Sequence, residues 1–352
     1  MKTATKITLN DTHLRRMVDD TGILRQAIYD LPDPAGGYTT DDNARLMMMS
    51  AMYYEATGDP KHLDTCYRAL SFLQYACVDG WFRCRMGFDR RFREEAASQD
   101  CFGRCIWCLG YITSRPALPE GLRGAAGALL EQAAPHADRL TQLRACAYTC
   151  LGVALWNREG LRGMLAEHLA RVATHYHENA VPGWFWYESE ITVCNATIPH
   201  ALLAGYQVIG GDRLLSIGLR SFDFLLEATT RDGFFWPVGC HGWSMGESNP
   251  SLYNQQPVEA CGTLLCCLKA HRITSDKRYL EKAELCLDWF LGYNSHGAQM
   301  INPVSGGCCD GLTEDGPDRN QGAESLLSWY VSALAMEAYR KQSGTGDDGR
   351  GS

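Results

Sequence analysis

Apolar residues recur at helical spacing along most of the chain, in two alternating grades. Six segments, at 43–56, 101–113, 141–157, 195–208, 257–271 and 321–338, are apolar nearly all round, as expected of helices surrounded by others. Five more, at 61–77, 120–136, 159–177, 213–228 and 277–291, carry an apolar stripe opposite a polar face. A further stretch, 9–28, reads as one amphipathic helix. Tight turns at Gly58-Asp59, Gly211-Asp212 and Ser275-Asp276 fall between members of a pair. Gly80-Trp81-Phe82, Gly183-Trp184-Phe185 and Gly233-Phe234-Phe235 open the longer loops between pairs.

A unit of helix, turn, helix and long loop therefore repeats. The sixth inner helix lacks a following mate, and the helix at 9–28 supplies it. The pattern predicts an all-α, (α/α)6 toroid with six inner and six outer helices, a single domain over residues 1–342. Residues 343–352, rich in Gly, Ser and Asp, read as a disordered tail.

Composition narrows the function classes. Hydrophobic residues make up 45% of the 352 and no apolar run approaches the roughly 18 residues of a membrane span. A polar Asn10-Asp11-Thr12-His13 stands where a signal peptide needs apolar residues, so the expected location is the cytoplasm, away from membranes. A net charge of -8 with scattered Lys and Arg opposes nucleic-acid binding. The 16 cysteines lie largely inside apolar helical runs, as reduced core thiols do. Cys101, Cys105 and Cys108 share one helix face, but no second set follows at zinc-ribbon spacing, and neither metal nor cofactor is expected.

In such a ring all inner helices point the same way, so their N-termini meet at one mouth. Those positions hold Asp41 and Asp42 within Thr40-Asp41-Asp42-Asn43-Ala44-Arg45, then Asp100, Glu188 with Asn195, Gln255-Gln256 with Glu259, and Asn320-Gln321 with Glu324. The third inner helix offers Arg139, Gln142 and Arg144 instead. N-capping accounts for one acid per helix. It does not account for adjacent aspartates, nor for Glu259 and Glu324 a few residues inside apolar helices. With Trp81, Trp184, Trp186, Trp236 and Trp243 on the loops, the mouth has the dense hydrogen-bonding groups and ring faces that a sugar requires.

At these residues the chain resembles a bacterial six-hairpin glycosidase-like family whose members usually carry a glycosyltransferase label and occur beside mannoside phosphorylases. The resemblance rests on Thr40-Asp41-Asp42-Asn43-Ala44-Arg45, Asp100 with Gly103-Arg104, Gln255-Gln256-Pro257-Val258-Glu259-Ala260 and Asn320-Gln321-Gly322-Ala323-Glu324-Ser325. It implies the (α/α)6 fold and a carbohydrate-related role. No glycine-rich strand-to-helix turn of a nucleotide-sugar-binding α/β domain accompanies it, which opposes a transferase. The chain departs from the family pattern at Gln99, Cys194 and Asn254, where the family has acids, and at Thr197, where it has Arg.

The resulting expectation is a glycoside hydrolase acting on an oligosaccharide, such as a mannoside, through carboxylate acid/base catalysis. Glu259 is the expected acid, its pKa raised by an apolar setting, and Asp42 the base, held ionised by Arg45 and helix N–H groups. Asp41 is expected to cap its helix. Asp100, Glu188 and Glu324 are further catalytic candidates. Substrate contacts are expected from Asp41, Asn43, Arg45, Arg104, Trp81, Trp184, Trp186, Trp236, His241, Trp243, Gln255, Gln256, Asn320 and Gln321. Two alternatives remain: a sugar epimerase or isomerase using His200, His241 or His271, and a glycan-binding protein without catalysis, which the missing family acids would suit.

Overall fold

The computed structural model describes residues 7–93 and 98–344. Its helices are α1 (Thr12–Met17), α2 (Thr40–Thr57), α3 (Pro60–Ala76), α4 (Gln99–Thr113), α5 (Glu120–Ala133), α6 (Leu143–Trp156), α7 (Arg162–Asn179), α8 (Thr197–Ile209), α9 (Asp212–Ala228), α10 (Pro257–Thr274), α11 (Lys277–Phe290) and α12 (Ala323–Gly344). The even-numbered helices from α2 to α12 form the inner ring. Each packs on the next, and α12 packs back on α2, which closes the circle. From α3 to α11 the odd-numbered helices each pair with the inner helix before them and stand outside. This is the (α/α)6 toroid that the alternating pattern predicts.

Local chemistry explains the sharp hairpins. Gly58 ends α2 in the left-handed conformation (φ +71°), Asp59 caps α3 by accepting from the Lys61 N–H at 3.0 Å, and Pro60 occupies the first helical position. Ser275 (φ +60°) and Asp276 repeat the arrangement between α10 and α11. Two of the three Gly-aromatic signals share one cause. Asp79-Gly80 and Asp232-Gly233 each place two successive residues at positive φ, as a two-residue hairpin turn of the I′ kind requires, and so join the strand pairs 77–78/81–82 and 230–231/234–235.

Inner helices α4 and α6 approach until their backbones touch. A Cβ added at Gly110 would lie 2.2 Å from the Gly152 carbonyl oxygen, and one added at Gly152 would lie 2.3 Å from that of Ile106. Both glycines are required by this crossing.

The helix expected over 9–28 does not form. Only α1 is helical there. Asp19 Oδ1 accepts from the N–H groups of Thr21 (2.8 Å) and Gly22 (3.1 Å) and turns the chain. Strands β1 (Leu24–Ile28) and β2 (Leu31–Thr39) follow as an antiparallel hairpin. Pro32 and Pro34, which lack donors, lie near the start of β2, away from its pairing with the strand at 85–86. The hairpin still packs on α12. The consequence for function is direct, because β2 runs without a break into α2 and carries Arg25 and Gln26 of β1 to the mouth. At the other end α12 continues through Ser343 to Gly344, the first two residues of the expected tail, and residues 345–352 lie outside the described residues.

All 16 cysteines are free thiols, and only Cys240 is exposed. Among the described residues no helix is long and apolar enough to cross a membrane.

Candidate active site

At the N-terminal mouth of the inner ring lies a cleft of about 380 Å³, lined by Arg25, Gln26, Thr39, Asp41, Asp42, Cys84, Arg85, Gln256, Asp310, Gly322, Glu324 and Ser325. That is the lower end of ligand-sized clefts. Beneath it an axial cavity touches every inner helix, with Arg45, Trp107, Tyr148, Cys194, Thr197 and His200 among its lining.

Asp41 and Asp42 both face the cleft, and neither caps. The cap of α2 is Thr39, whose Oγ1 accepts from the Asp42 N–H at 3.3 Å and donates to Asp42 Oδ2 at 2.5 Å. Asp41 is therefore free of the role the sequence suggested for it, and its Oδ2 accepts from Arg104 Nη1 at 2.8 Å. Asp42 Oδ1 accepts from Arg45 Nη1 at 3.1 Å, the i,i+3 pairing expected. The other end of that guanidinium, Nη2, lies 2.8 Å from Glu324 Oε2 and 4.0 Å from Asp41 Oδ2. One arginine thus ties three carboxylates from the two helices that close the ring.

The two neighbours differ in proton affinity, opposite to the expectation for Asp42. Burial pushes both carboxyls up. At Asp41 the positive charges of Arg104 and Arg45 outweigh burial and hold the pKa below the usual value. At Asp42 burial is joined by the negative charges of Asp41 and Glu324, and Arg45 only partly offsets them, so its carboxyl is pushed up to about 7. Asp42 is then the proton carrier of the pair and Asp41 the carboxylate.

Glu259, the expected acid, is buried away from the cleft. Its carboxylate accepts from the Cys194 N–H, from the Asn195 N–H at 3.3 Å and from Asn195 Nδ2 at 3.0 Å. Burial raises its pKa as foreseen, against those donors. Three donors aimed at one carboxylate describe an anchor for the turn that starts α8. Arg144 extends that anchor. It pairs with Glu188 Oε2 at 2.8 Å and donates to Val193 O at 2.5 Å and Thr192 Oγ1 at 2.8 Å. Glu188 accordingly belongs to this network and not to the cleft lining. Asp100 stands half-buried in the first turn of α4 and makes no hydrogen bond or ion pair among the described residues.

Several expected substrate contacts are structural. Asn43 is fully buried, donating to Thr39 O (2.8 Å) and accepting from the Ile23 N–H (3.0 Å), which fastens the β1–β2 hairpin to α2. Gln255 is spent on the Trp289 indole N–H, Leu252 O and Ser295 Oγ, whereas Gln256 lines the cleft. Asn320 accepts from the Tyr29 N–H at 3.0 Å, and Gln321 is buried with its carbonyl on His13 Nε2. Arg104 acts from behind Asp41, its Nη2 reaching Cys194 Sγ at 3.2 Å.

The aromatic walls do not materialise at the cleft. Trp186 is completely buried, and Trp184 is buried with its indole N–H on Glu188 O at 2.8 Å. Trp243 packs edge-on against Trp184 at 4.9 Å, Trp236 donates to Leu252 O, and Trp81 stacks on Phe102 at 4.4 Å. Trp184, Trp236 and Trp243, whose indole N–H groups are each satisfied by a backbone carbonyl, pin the long loops. His241 is exposed and outside the lining.

Five cleft residues were not foreseen: Arg25 and Gln26, hidden in the segment read as helix, Cys84 and Arg85 at the third strand beside β2, and Asp310. Asp310 Oδ1 accepts from the Gly322 N–H at 2.7 Å and from Ser325 Oγ at 2.8 Å, holding the start of α12. Burial raises its pKa. The proximity of Asp310 to the Gly322-Ala323-Glu324-Ser325 motif carries no signal in spacing. At the departures from the family pattern, Gln99 Oε1 accepts from the N–H groups of Thr141 and Gln142, Cys194 meets Arg104, and Thr197 lines the axial cavity.

No protein-family model and no curated protein matches the chain. Solved structures of the same six-hairpin architecture do. A sugar epimerase from a ruminal bacterium is 13% identical with TM-score 0.73, over 94% of this chain and 95% of that one. A D-mannose isomerase is 11% identical with TM-score 0.69, over 94% of each. An α-1,6-mannanase of Salegentibacter sp. is 11% identical with TM-score 0.63, over 94% and 97%; it is an inactive variant with two consecutive aspartates replaced by Asn, in complex with α-1,6-mannotriose. At these identities the likeness establishes the six-hairpin fold.

Proposed function

We propose that the chain is a carbohydrate-active enzyme, and specifically a glycoside hydrolase cleaving an oligosaccharide at the Asp41–Asp42 cleft. The observation that carries this reading is a pair of adjacent carboxyls in one cleft whose surroundings drive their pKa values apart, the usual device by which two like groups take acid and base roles. Asp42, protonated up to about pH 7, donates its proton to the glycosidic oxygen as the bond to the anomeric carbon breaks. Asp41, held ionised by Arg104, activates the water or attacks the anomeric carbon. Arg25, Gln26, Arg85, Gln256 and Glu324 supply donors and acceptors for the sugar hydroxyls.

Neighbours on this fold point to carbohydrate chemistry of more than one kind. The mannanase variant, inactive once two consecutive aspartates are replaced, supports a vicinal pair as a catalytic device on such a ring. The epimerase and isomerase neighbours support proton transfer on a free sugar instead. That chemistry calls for a base near the substrate, usually His. Here His200 faces the axial cavity, pushed down to about 3 by burial and by Lys269 and Arg272, and His271 bonds Tyr339. Among the described residues no His lines the cleft, which favours hydrolysis.

The test is a panel of mannose- and glucose-based di- and trisaccharides, assayed for new reducing ends with wild type and Asp42→Asn. Cleavage by wild type and a loss of roughly 10²–10⁴-fold in the variant, with unchanged circular dichroism, is the expected result. Saturable binding with no product from any sugar would identify a glycan-binding protein instead.

A further inference from the structure

Beside Asp41 the structure gathers thiols from two other elements. Cys84 lies between the strands at 81–82 and 85–86, its carbonyl fixed by the Thr40 N–H at 2.8 Å. Cys101 is in the first turn of α4, its N–H directed at Ser98 Oγ. One carboxylate oxygen of Asp41 and the Sγ atoms of Cys84 and Cys101 all lie within 4.8 Å of one another.

Tetrahedral zinc, with bonds of about 2.3 Å to sulfur and about 2.0 Å to oxygen, sets its ligand atoms roughly 3.5–3.8 Å apart. The three atoms need close by no more than about 1.3 Å, within the reach of side-chain rotation alone. We propose that Asp41, Cys84 and Cys101 form a binding site for a thiophilic divalent cation of the zinc class, with its fourth position open to the cleft. Two thiolates and a carboxylate present three negative charges to a doubly charged ion, and soft sulfur selects zinc over calcium or magnesium. Binding forms two metal–sulfur bonds and one metal–oxygen bond. It releases two thiol protons to solvent and changes no oxidation state. Asp41 has a second oxygen to give beside the Oδ2 that Arg104 holds. Since Asp41 and Cys84 both line the cleft, the remaining coordination position faces it. Sequence spacing argued against a metal because the ligands come from three separated elements, and only Cys101 of the helical Cys101, Cys105 and Cys108 row takes part.

The site shares Asp41 with the hydrolase reading but does not depend on it, because its test reads metal binding and no activity. Co²⁺ is titrated into the full chain, kept reduced with a phosphine, and the near-ultraviolet thiolate-to-cobalt absorption is followed. The expected result is a band saturating at a single equivalent and bleached by Zn²⁺. It should be lost or weakened at least about tenfold in Cys84→Ala and Cys101→Ala, and kept in Cys108→Ala. Should Cys101→Ala not fold by circular dichroism, half-buried Cys84 is read alone. Absence of a thiolate band, or a band equal to wild type in Cys84→Ala, overturns the proposal.

Discussion

Asp41 and Asp42 sit on one turn of backbone yet differ because their cations differ. Arg104 reaches Asp41 from α4, while Arg45 divides itself between Asp42, Asp41 and Glu324. Removing the Asp41 charge takes away the second-largest contribution that raises Asp42, after burial. Carboxyl carbon NMR should therefore show a group titrating near pH 7 in wild type, absent in Asp42→Asn and shifted to lower pH in Asp41→Asn. The sign for catalysis follows: the acid is protonated below its pKa, so kcat/KM falls as pH rises through about 7, and in Asp41→Asn any residual activity falls at lower pH. Two carboxyls that both titrate in the ordinary range would refute the division of roles. Asn43 makes a structural claim of the same kind. Asn43→Ala leaves the Ile23 N–H without its partner, a loss of about 1–3 kcal/mol in urea unfolding, whereas a substrate contact would change KM and spare stability.

At the level of elements, α4 and α6 cross with Gly110 and Gly152 each pressed against a backbone carbonyl of the other helix, so Gly152→Ala must push the helices apart. Overpacking of this kind costs about 1–3 kcal/mol, measurable as a lowered Tm, and it should also disturb Arg104 and Arg144, which the two helices carry. The helices themselves were legible in the sequence because their apolar period is long and their turns are chemically explicit, as at Gly58-Asp59-Pro60. The strand from Leu24 to Ile28, read as the end of a helix, was not. Its apolar residues fit a helical period about as well as a strand, and the decisive feature, the Asp19 turn onto Gly22, is a local hydrogen bond that periodicity does not register. Arg25, Gln26 and Arg85 went unseen with it. The acids of the inner-helix N-termini were legible as a set, but which of them face the cleft depends on a rotation of a few tens of degrees about each helix. Glu259 and Asn43 turned inward to backbone N–H groups, and the loop tryptophans packed on one another.

Across the whole molecule, α12 returns to α2 and the N-terminal hairpin lies against α12, so the β1–β2 hairpin and the start of the last inner helix meet at the cleft. A ring closed in this way should unfold as one unit, with far- and near-ultraviolet circular dichroism changing together in urea; separate transitions would indicate two domains. The same closure brings Asp42 of the first inner helix and Glu324 of the last to a common arginine, which makes the candidate cleft a property of the closed toroid. The proposed reaction is most directly read by incubating the protein with the oligosaccharide panel, in water enriched in ¹⁸O and separately in D₂O, with mass analysis of the products. Hydrolysis at the Asp41–Asp42 cleft predicts shorter sugars carrying one solvent oxygen and no carbon-bound deuterium. A sugar of unchanged length that has gained deuterium would contradict it and establish an epimerase or isomerase.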